Sequence, residues 1–305
     1  MTPTAPLVFA GVAALDTIAL VDRMPGPDER ITTAAMTQAG GGPAATAAVT
    51  ASRLGLPAAF VGMVGDDEEG DRILAGLARE GVDVSGAIRA PGTRSAASIG
   101  LVDRGRGSRA LVNRPGPPLR IPVSGRAADL LAGAGWVHVD QAGWGAVAPL
   151  RRTSRFRLSV DAGNLIPDFS ADGVDLYVPT LAALRARYGD RPAVDLLDAG
   201  LADGARCVVA TRGEGGAVGA CPGTRPVAVA ALAVGVVSTL GAGDVFHGAL
   251  LAATARGMPL RERLSYAAAV AGLSCRALDG RSAIPSHAEA LAAVSTMAAD
   301  ALRPT

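Results

Sequence analysis

Lysine is absent from the chain: all 29 of its basic residues are arginine. That absence removes whole classes of chemistry. A P-loop kinase needs the lysine of GxxxxGK[ST] on the terminal phosphates, a protein kinase needs one on its third strand, and Schiff-base enzymes need an amine nucleophile. If this chain moves a phosphoryl group, it must do so with backbone amides, arginine and metal. Aromatic residues fill only 3% of the 305 positions and the formal net charge is +1, so the stacking platforms and basic surface that nucleic-acid binding needs are both missing. Histidine is sparse, at His138, His247 and His287, and Cys207, Cys221 and Cys275 lack metal-ligand spacing, which argues against a zinc site. Three cysteines, an odd number, read most simply as thiols in a reducing cytoplasm. No apolar run is long enough for a bilayer span, and the start MTPTAPLVFAGVAALD lacks the basic region of a signal peptide, so no membrane association is expected.

What is abundant is small and apolar. With 49% hydrophobic residues and a mean hydropathy of +0.30, much of it from alanine, the chain can bury a substantial core. Short β-like runs alternate with alanine-rich helical stretches. Strands are predicted at 7–11, 58–65, 136–140, 156–163, 174–179 and 206–213, and helices near 67–80, 125–133, 180–188, 192–203, 243–256, 259–277 and 286–302. This order predicts an α/β fold with a mostly parallel sheet flanked by helices on both faces. Two segments depart from it: DTIALVDRM at 16–24, and 95–113, where DRGRG separates two alternating runs and reads as a hairpin. No linker or internal repeat divides the chain, so 1–305 is taken as a single domain.

Chemistry concentrates in VVSTLGAGDVFHGALLAATARG, 236–257, where a glycine turn delivers Asp244 into the first turn of an apolar helix. Gly241, Ala242 and Gly243 carry almost no side chain, so their backbone N–H groups can approach an anion, and the helix dipole adds positive potential there. An acidic residue is ordinary at a helix start, but beside an anion site it is out of place unless it accepts a proton. A second glycine turn, GGGPAATAAVTASRLG at 40–55, also opens a helix of small residues.

These two turns, in this order and at this spacing, resemble the signatures of the ribokinase-like, or PfkB, family of carbohydrate kinases. Gly41, Gly42 and the RLG of Arg53 to Gly55 match the first signature, and Gly241 to Asp244 match the second. The resemblance spans nearly the whole chain. It implies a ribokinase-like fold with a small β-sheet lid, formed here from about 14–36 and 93–115, and ATP-dependent transfer of the γ-phosphate to a sugar hydroxyl with Mg²⁺. Asp244 would be the catalytic base, and the amides of Gly241, Ala242 and Gly243 would hold the γ-phosphate. The same resemblance places sugar contacts at Asp16, Gly41, Gly42 and Thr46, and nucleotide contacts at Thr211, Gly213 and Gly216 of TRGEGG together with Gly241 and Gly243. Asp161 and Asn164 could face metal and phosphates or serve as turn residues. The acidic run 66–69 reads as a helix start and solvated face. Members often dimerise through their lids, so a homodimer is expected.

Departures are informative. Thr46 stands where many members have asparagine, and Ser238, Thr239 and Leu240 stand where they have Asp-Thr-Thr, which leaves K⁺ dependence open. The Asn-x-x-Glu element that arranges magnesium should fall near Tyr177 to Leu184, where no carboxylate occurs, so the metal ligands are unassigned. Within the family, GGGPAATAAV, GAGDVFHGAL and SCRALDGRSAIP most resemble bacterial sulfofructose kinases. Arg30 and Asn113 fall at two positions that bind the anionic sulfonate there, whereas the third, near Gln141 to Trp144, has no arginine. The acceptor is then a ketose, or a ketose with an anionic end such as 6-sulfofructose. A nucleoside kinase of the same fold and a non-catalytic sugar- or nucleotide-binding relative are the alternatives.

Overall fold

A computed structural model describes residues 5–33 and 35–301. The chain opens with β1 (Leu7–Ala10), β2 (Ala14–Val21) and β3 (Ala35–Gly41), then α1 (Pro43–Arg53), β4 (Ala58–Val61), β5 (Met63–Gly65) and α2 (Glu68–Arg79). After β6 (Ile88–Ala90) come β7 (Ala96–Asp103) and β8 (Ser108–Arg114), followed by α3 (Arg126–Gly133), β9 (Trp136–Val139) and α4 (Trp144–Val147). The second half holds β10 (Arg157–Ala162), β11 (Leu176–Pro179), α5 (Leu181–Tyr188), α6 (Ala193–Ala202), β12 (Val208–Thr211), β13 (Ala217–Ala220) and β14 (Val227–Val229). Three helices close the chain: α7 (Ala242–Ala255), α8 (Leu260–Ser274) and α9 (His287–Ala301).

Eight strands form the large sheet in the order β14-β13-β12-β11-β10-β9-β1-β4; β4 through β12 run parallel, and β13 and β14 antiparallel. Apolar residues occupy both faces of the central strands, as a sheet covered on both sides requires. Along β1, Leu7 and Phe9 join the core with α1, α7 and α8, while Val8 and Ala10 join the opposite core with α3 and α6. Helix α1 is built from small residues, and eight of them, Ala44 to Ala51, are buried. It packs directly on α7, where a side chain at Gly248 would strike the carbonyl oxygen of Ala47. Only glycine permits that approach.

The second sheet is the lid, ordered β3-β2-β7-β8, with the 95–113 hairpin formed as expected. Its first part extends beyond 36, because β3 runs to Gly41. The strand expected over 58–65 divides at Gly62: β4 stays in the large sheet and β5 pairs with β6 in a third, two-stranded sheet. Strands β13 and β14 were not foreseen, being short and rich in alanine and glycine. The helix expected over 286–302 is present to 301, with residue 302 outside the described residues, as is residue 34 of the lid. The acidic run does more than decorate a surface. Asp67 caps α2 by accepting from the Gly70 N–H at 2.9 Å and also holds Ser95, through N–H at 2.9 Å and Oγ at 2.6 Å. Glu69 pairs with Arg94 and Arg114 at the root of the lid hairpin.

The cysteines also differ from expectation. Cys207 and Cys221 are joined in a disulfide, with Cα atoms 4.3 Å apart. They flank the β12–β13 pair Val208↔Ala220 on facing strands, a juxtaposition that a cysteine count cannot reveal. Cys275 is free and buried. No helix among the described residues is long and apolar enough to cross a membrane.

Candidate active site

A cavity of ≈ 700 Å³ opens at the carboxyl ends of the parallel strands, with the lid as its other wall. That is where open α/β sheets place ligands. Gly11 after β1, Asp161 and Gly163 at the end of β10, Thr180 after β11 and Thr211 of β12 supply the floor. Asp16, Ser98, Arg109 and Asn113 come from the lid.

At the centre is the glycine turn. Gly241 caps α7 in a left-handed conformation, φ 72°, with the Cα of Gly280 only 2.9 Å from where a Cβ would lie. The Ala242 N–H is engaged with the Thr239 carbonyl at 3.3 Å, which leaves the Gly243 and Asp244 amides in the first turn for an anion. Gly243 is already helical, and a Cβ there would meet nothing within 4 Å. Gly241, Gly243 and Asp244 line the cavity, and Ala242 does not.

Asp244 lies on the cavity floor, and burial pushes its carboxyl up to about 7, helped by the neighbouring charge of Asp161 and, less, of Asp140. His247, one turn along α7, opposes that shift. Its Nε2 lies 3.2 Å from Asp161 Oδ1, and the two side chains are almost fully buried. Burial alone would raise Asp161 and lower His247, but their contact reverses both: the carboxyl is held below its ordinary value and the imidazole above. His138, whose ring centroid is 5.6 Å from that of His247, is pushed down to about 3 by burial and stays neutral. From α7, His247 therefore offsets part of the carboxylate charge here.

Asp16 lies where the lid meets the first glycine turn. This carboxylate accepts from Ser98 Oγ at 2.5 Å, lies against the Gly41 backbone, and is raised by burial. Ser98 is the register partner of both Asp16 on β2 and Asn113 on β8, so the three form one row across the lid. Gly42 caps α1 and lines the cavity.

Other expected residues lie elsewhere. Arg30 is exposed on the β2–β3 connection and does not reach the cavity, because the chain turns outward between the two strands. Thr46 is buried inside α1, behind the cavity wall. Of TRGEGG only Thr211 lines the cavity; Gly213 and Gly216 occupy the turn after β12, with Gly216 packed beneath Val229 to Ala231. Asp161 is committed to His247 and to the Gly163 N–H at 2.9 Å, while Asn164 remains exposed at the rim.

Two residues without an assigned role organise the site. Asp140, fully buried, accepts from Val12 N at 2.7 Å, Ala44 N at 3.3 Å, and Ala142 N and Gly143 N, each at 2.9 Å. One carboxylate thereby ties the loops after β1 and β9 to the start of α1. Arg281, 7% exposed, donates through Nε to Thr46 Oγ1 at 3.1 Å and through Nη2 to the Gly41 carbonyl at 2.8 Å. It has no ion-pair partner among the described residues, and burial lowers its guanidinium to about 10. Its charge sits behind the Gly41–Gly42 turn, within the influence of Asp16 and Asp244.

The pfkB family carbohydrate kinase model matches residues 5–124 and 160–287. The chain belongs to the pfkB family of carbohydrate kinases. It is a phosphotransferase with an alcohol group as acceptor. An ATP-dependent ribose-1-phosphate kinase of Halopiger xanaduensis is 28% identical over 286 residues, covering 91% of this chain and 94% of the relative. Among solved structures, a candidate ribokinase of Agrobacterium tumefaciens is 28% identical with TM-score 0.85, over 98% of this chain and 99% of that one. Ribokinase of Arabidopsis thaliana, complexed with ribose and ATP, shares the fold at TM-score 0.82 and 23% identity, over 96% and 99% of the two chains.

Proposed function

We propose that this pfkB-family kinase transfers the γ-phosphoryl group of ATP to a hydroxyl of a ketose, and that Asp244 takes the hydroxyl proton. The observation that carries this reading is the position of Asp244, on the floor of one cavity between the Asp16–Ser98–Asn113 row and the Gly241–Gly243 turn. In the step, the sugar oxygen bonds to the γ-phosphorus, the bond to the β-phosphate bridging oxygen breaks, and ADP leaves. Asp16 and Asn113 orient the sugar, and the Gly243 and Asp244 amides receive charge on the transferred group. The carboxylates present do not fit a protein-held magnesium site: Asp140 is saturated by four N–H donors, Asp161 is paired with His247, and 177–184 holds none. Magnesium would arrive on the nucleotide phosphates, and no residue is assigned to it. With the metal-site element degenerate and Leu240 before the turn, a K⁺ requirement is left out of the reading. The cytoplasm, where ATP is available, is the proposed setting. The Cys207–Cys221 bridge lies at the opposite end of β12 from Thr211 and outside the site.

A sugar acceptor is favoured over a nucleoside because no Phe, Trp or Tyr lines the cavity among the described residues, leaving nothing to stack on a base. Within the sugars, 6-sulfofructose is the finer candidate. Asn113 in the cavity and the relative named for ribose 1-phosphate support it, and the exposed position of Arg30 counts against it. ATP turnover measured with fructose, 6-sulfofructose, ribose, ribose 1-phosphate and adenosine tests the reading. A ketose should be used and adenosine should not; preference for adenosine overturns it. If the sulfonate is recognised, Asn113→Ala should raise KM for 6-sulfofructose about tenfold and for fructose far less, since a hydrogen bond to a charged group contributes ~1.5 kcal/mol or more. Arg30→Ala should alter neither.

We also infer a homodimer formed through the lid. Its outer face carries Met36, Ile99 and Val112, which are 67%, 59% and 71% exposed, and Ile99 and Val112 are register partners. Such an apolar sheet face usually finds cover. Light scattering should give a dimer mass at tens of micromolar protein, and a monomer there would sink the inference.

A further inference from the structure

At the amino ends of the parallel strands, away from the active site, five arginines share a second cavity of ≈ 350 Å³. Arg151 and Arg152 come from the turn after α4, Arg155 and Arg157 from the entry to β10, and Arg206 from the entry to β12. Both tryptophans of the chain serve as platforms for two of them. The Arg157 guanidinium lies 4.5 Å from the ring centre of Trp136, and that of Arg151 lies 5.5 Å from the ring centre of Trp144. Stacking of this kind fixes a guanidinium and leaves its charge whole. Arg152 and Arg155 are exposed, and neither has a hydrogen-bond or ion-pair partner among the described residues. Two carboxylates line the cavity. Asp175 accepts from the Leu158 N–H at 2.9 Å and lies 3.6 Å from Arg206, while Asp172 pairs with none of the five. The positive charge is felt beyond the cavity: burial lowers the Arg263 guanidinium, and the Arg157 charge lowers it further.

Five guanidinium groups against two carboxylates make a local positive excess in a chain whose net charge is only +1. Like charges gathered around a concave, partly desolvated site raise its potential and cost stability until an anion neutralises them. We propose that this cavity is a binding site, separate from the active site, for a small ligand carrying two or more phosphoryl groups. The arginines converge from three segments of the chain, which suits the oxygens that a tetrahedral phosphoryl group presents in several directions; a planar carboxylate fills one fork. The volume suits a ligand of pyrophosphate or sugar-bisphosphate size. Strand β10 separates the two sites: Arg157 opens it at this cavity, and Asp161, the partner of His247, lies near its other end on the floor of the active site. The ligand is therefore neither the acceptor nor the nucleotide phosphates at Asp244, and the inference does not rest on the kinase reading.

The test is titration calorimetry and thermal melting of the full chain at constant ionic strength, with pyrophosphate, fructose 1,6-bisphosphate and citrate as probes. Pyrophosphate should bind with Kd below about 1 mM, and at about ten times Kd it should raise Tm by roughly 2 °C or more. The double variant Arg152→Ala/Arg155→Ala removes two exposed side chains that hold nothing in the fold, so it should keep the wild-type Tm without ligand and the wild-type ATP turnover. Its affinity for pyrophosphate should fall at least about tenfold, since each charge-assisted contact is strong. Arg206→Ala should weaken binding in the same sense. Pyrophosphate also fits the glycine turn of the active site, so Gly243→Val, which fills that turn, should retain the binding that the double variant loses. Tighter binding of fructose 1,6-bisphosphate than of pyrophosphate identifies a sugar-borne ligand and the reverse order an inorganic one, each in support. The proposal is overturned if sodium chloride at matched ionic strength raises Tm equally, if citrate binds as tightly as pyrophosphate, if the double variant binds like wild type, or if Gly243→Val abolishes binding.

Discussion

Asp244→Asn should lower kcat by about 10²-fold or more, the usual contribution of a general base. The substitution is nearly isosteric and removes only the ability to take a proton. Because burial and the Asp161 charge push the Asp244 carboxyl up to about 7, wild-type kcat/KM should fall as pH drops through about 7, and the Asn variant should lose that limb. Stability should move the other way. A carboxyl whose folded pKa is raised binds a proton more readily in the native state, so it costs stability above its unfolded value, and the cost is complete only above about 7. Asp244→Asn should therefore melt higher than wild type at pH 8, with the difference fading toward pH 5. A variant with near-normal turnover would sink the assigned role, and one that melts much lower at pH 8 would show the carboxylate to be structural.

The second large effect separates the two glycines of the turn. Gly243→Val should abolish turnover with little change in Tm. Its backbone is helical and its Cβ would point into open cavity, so the added methyls occupy the space the phosphate must enter without straining the fold. Gly241→Val should do the opposite kind of damage. A branched residue at φ 72°, with Gly280 Cα 2.9 Å from its Cβ, costs about 1–3 kcal/mol in backbone strain alone and should lower Tm by several degrees. Thermal melts beside ATP turnover distinguish them. An active Gly243→Val enzyme would reduce the turn to a helix cap. The left-handed conformation belongs to Gly241 alone of the two.

The alternation of β-like runs and alanine-rich stretches exposed the architecture because nearly every strand of the large sheet is apolar on both faces, a local property. Strand β3, AMTQAGG, was invisible for the opposite reason: its residues have low strand propensity, and only pairing with β2 makes it a strand. The split at Gly62 likewise depends on where β6 lies. In the site, the family signatures pointed to Asp244, Asp16, Gly42, Asn113 and Thr211, and all five line the cavity. Asp140 and Arg281 were not legible. Asp140 reaches partners 96 and 128 residues away, and Arg281 reaches partners 235 and 240 residues away, and no local pattern encodes such contacts.

The backbone contact at Gly248 bears on how the two substrates meet. Helix α1 begins at Gly42, α7 begins at Gly241, and Gly248 lets them touch along their backbones. The two turns thus belong to one rigid pair, both presenting positive helix ends to the same cavity. Under the proposed roles, the gap between nucleophile and phosphorus is gauged by interhelical spacing, fixed at folding.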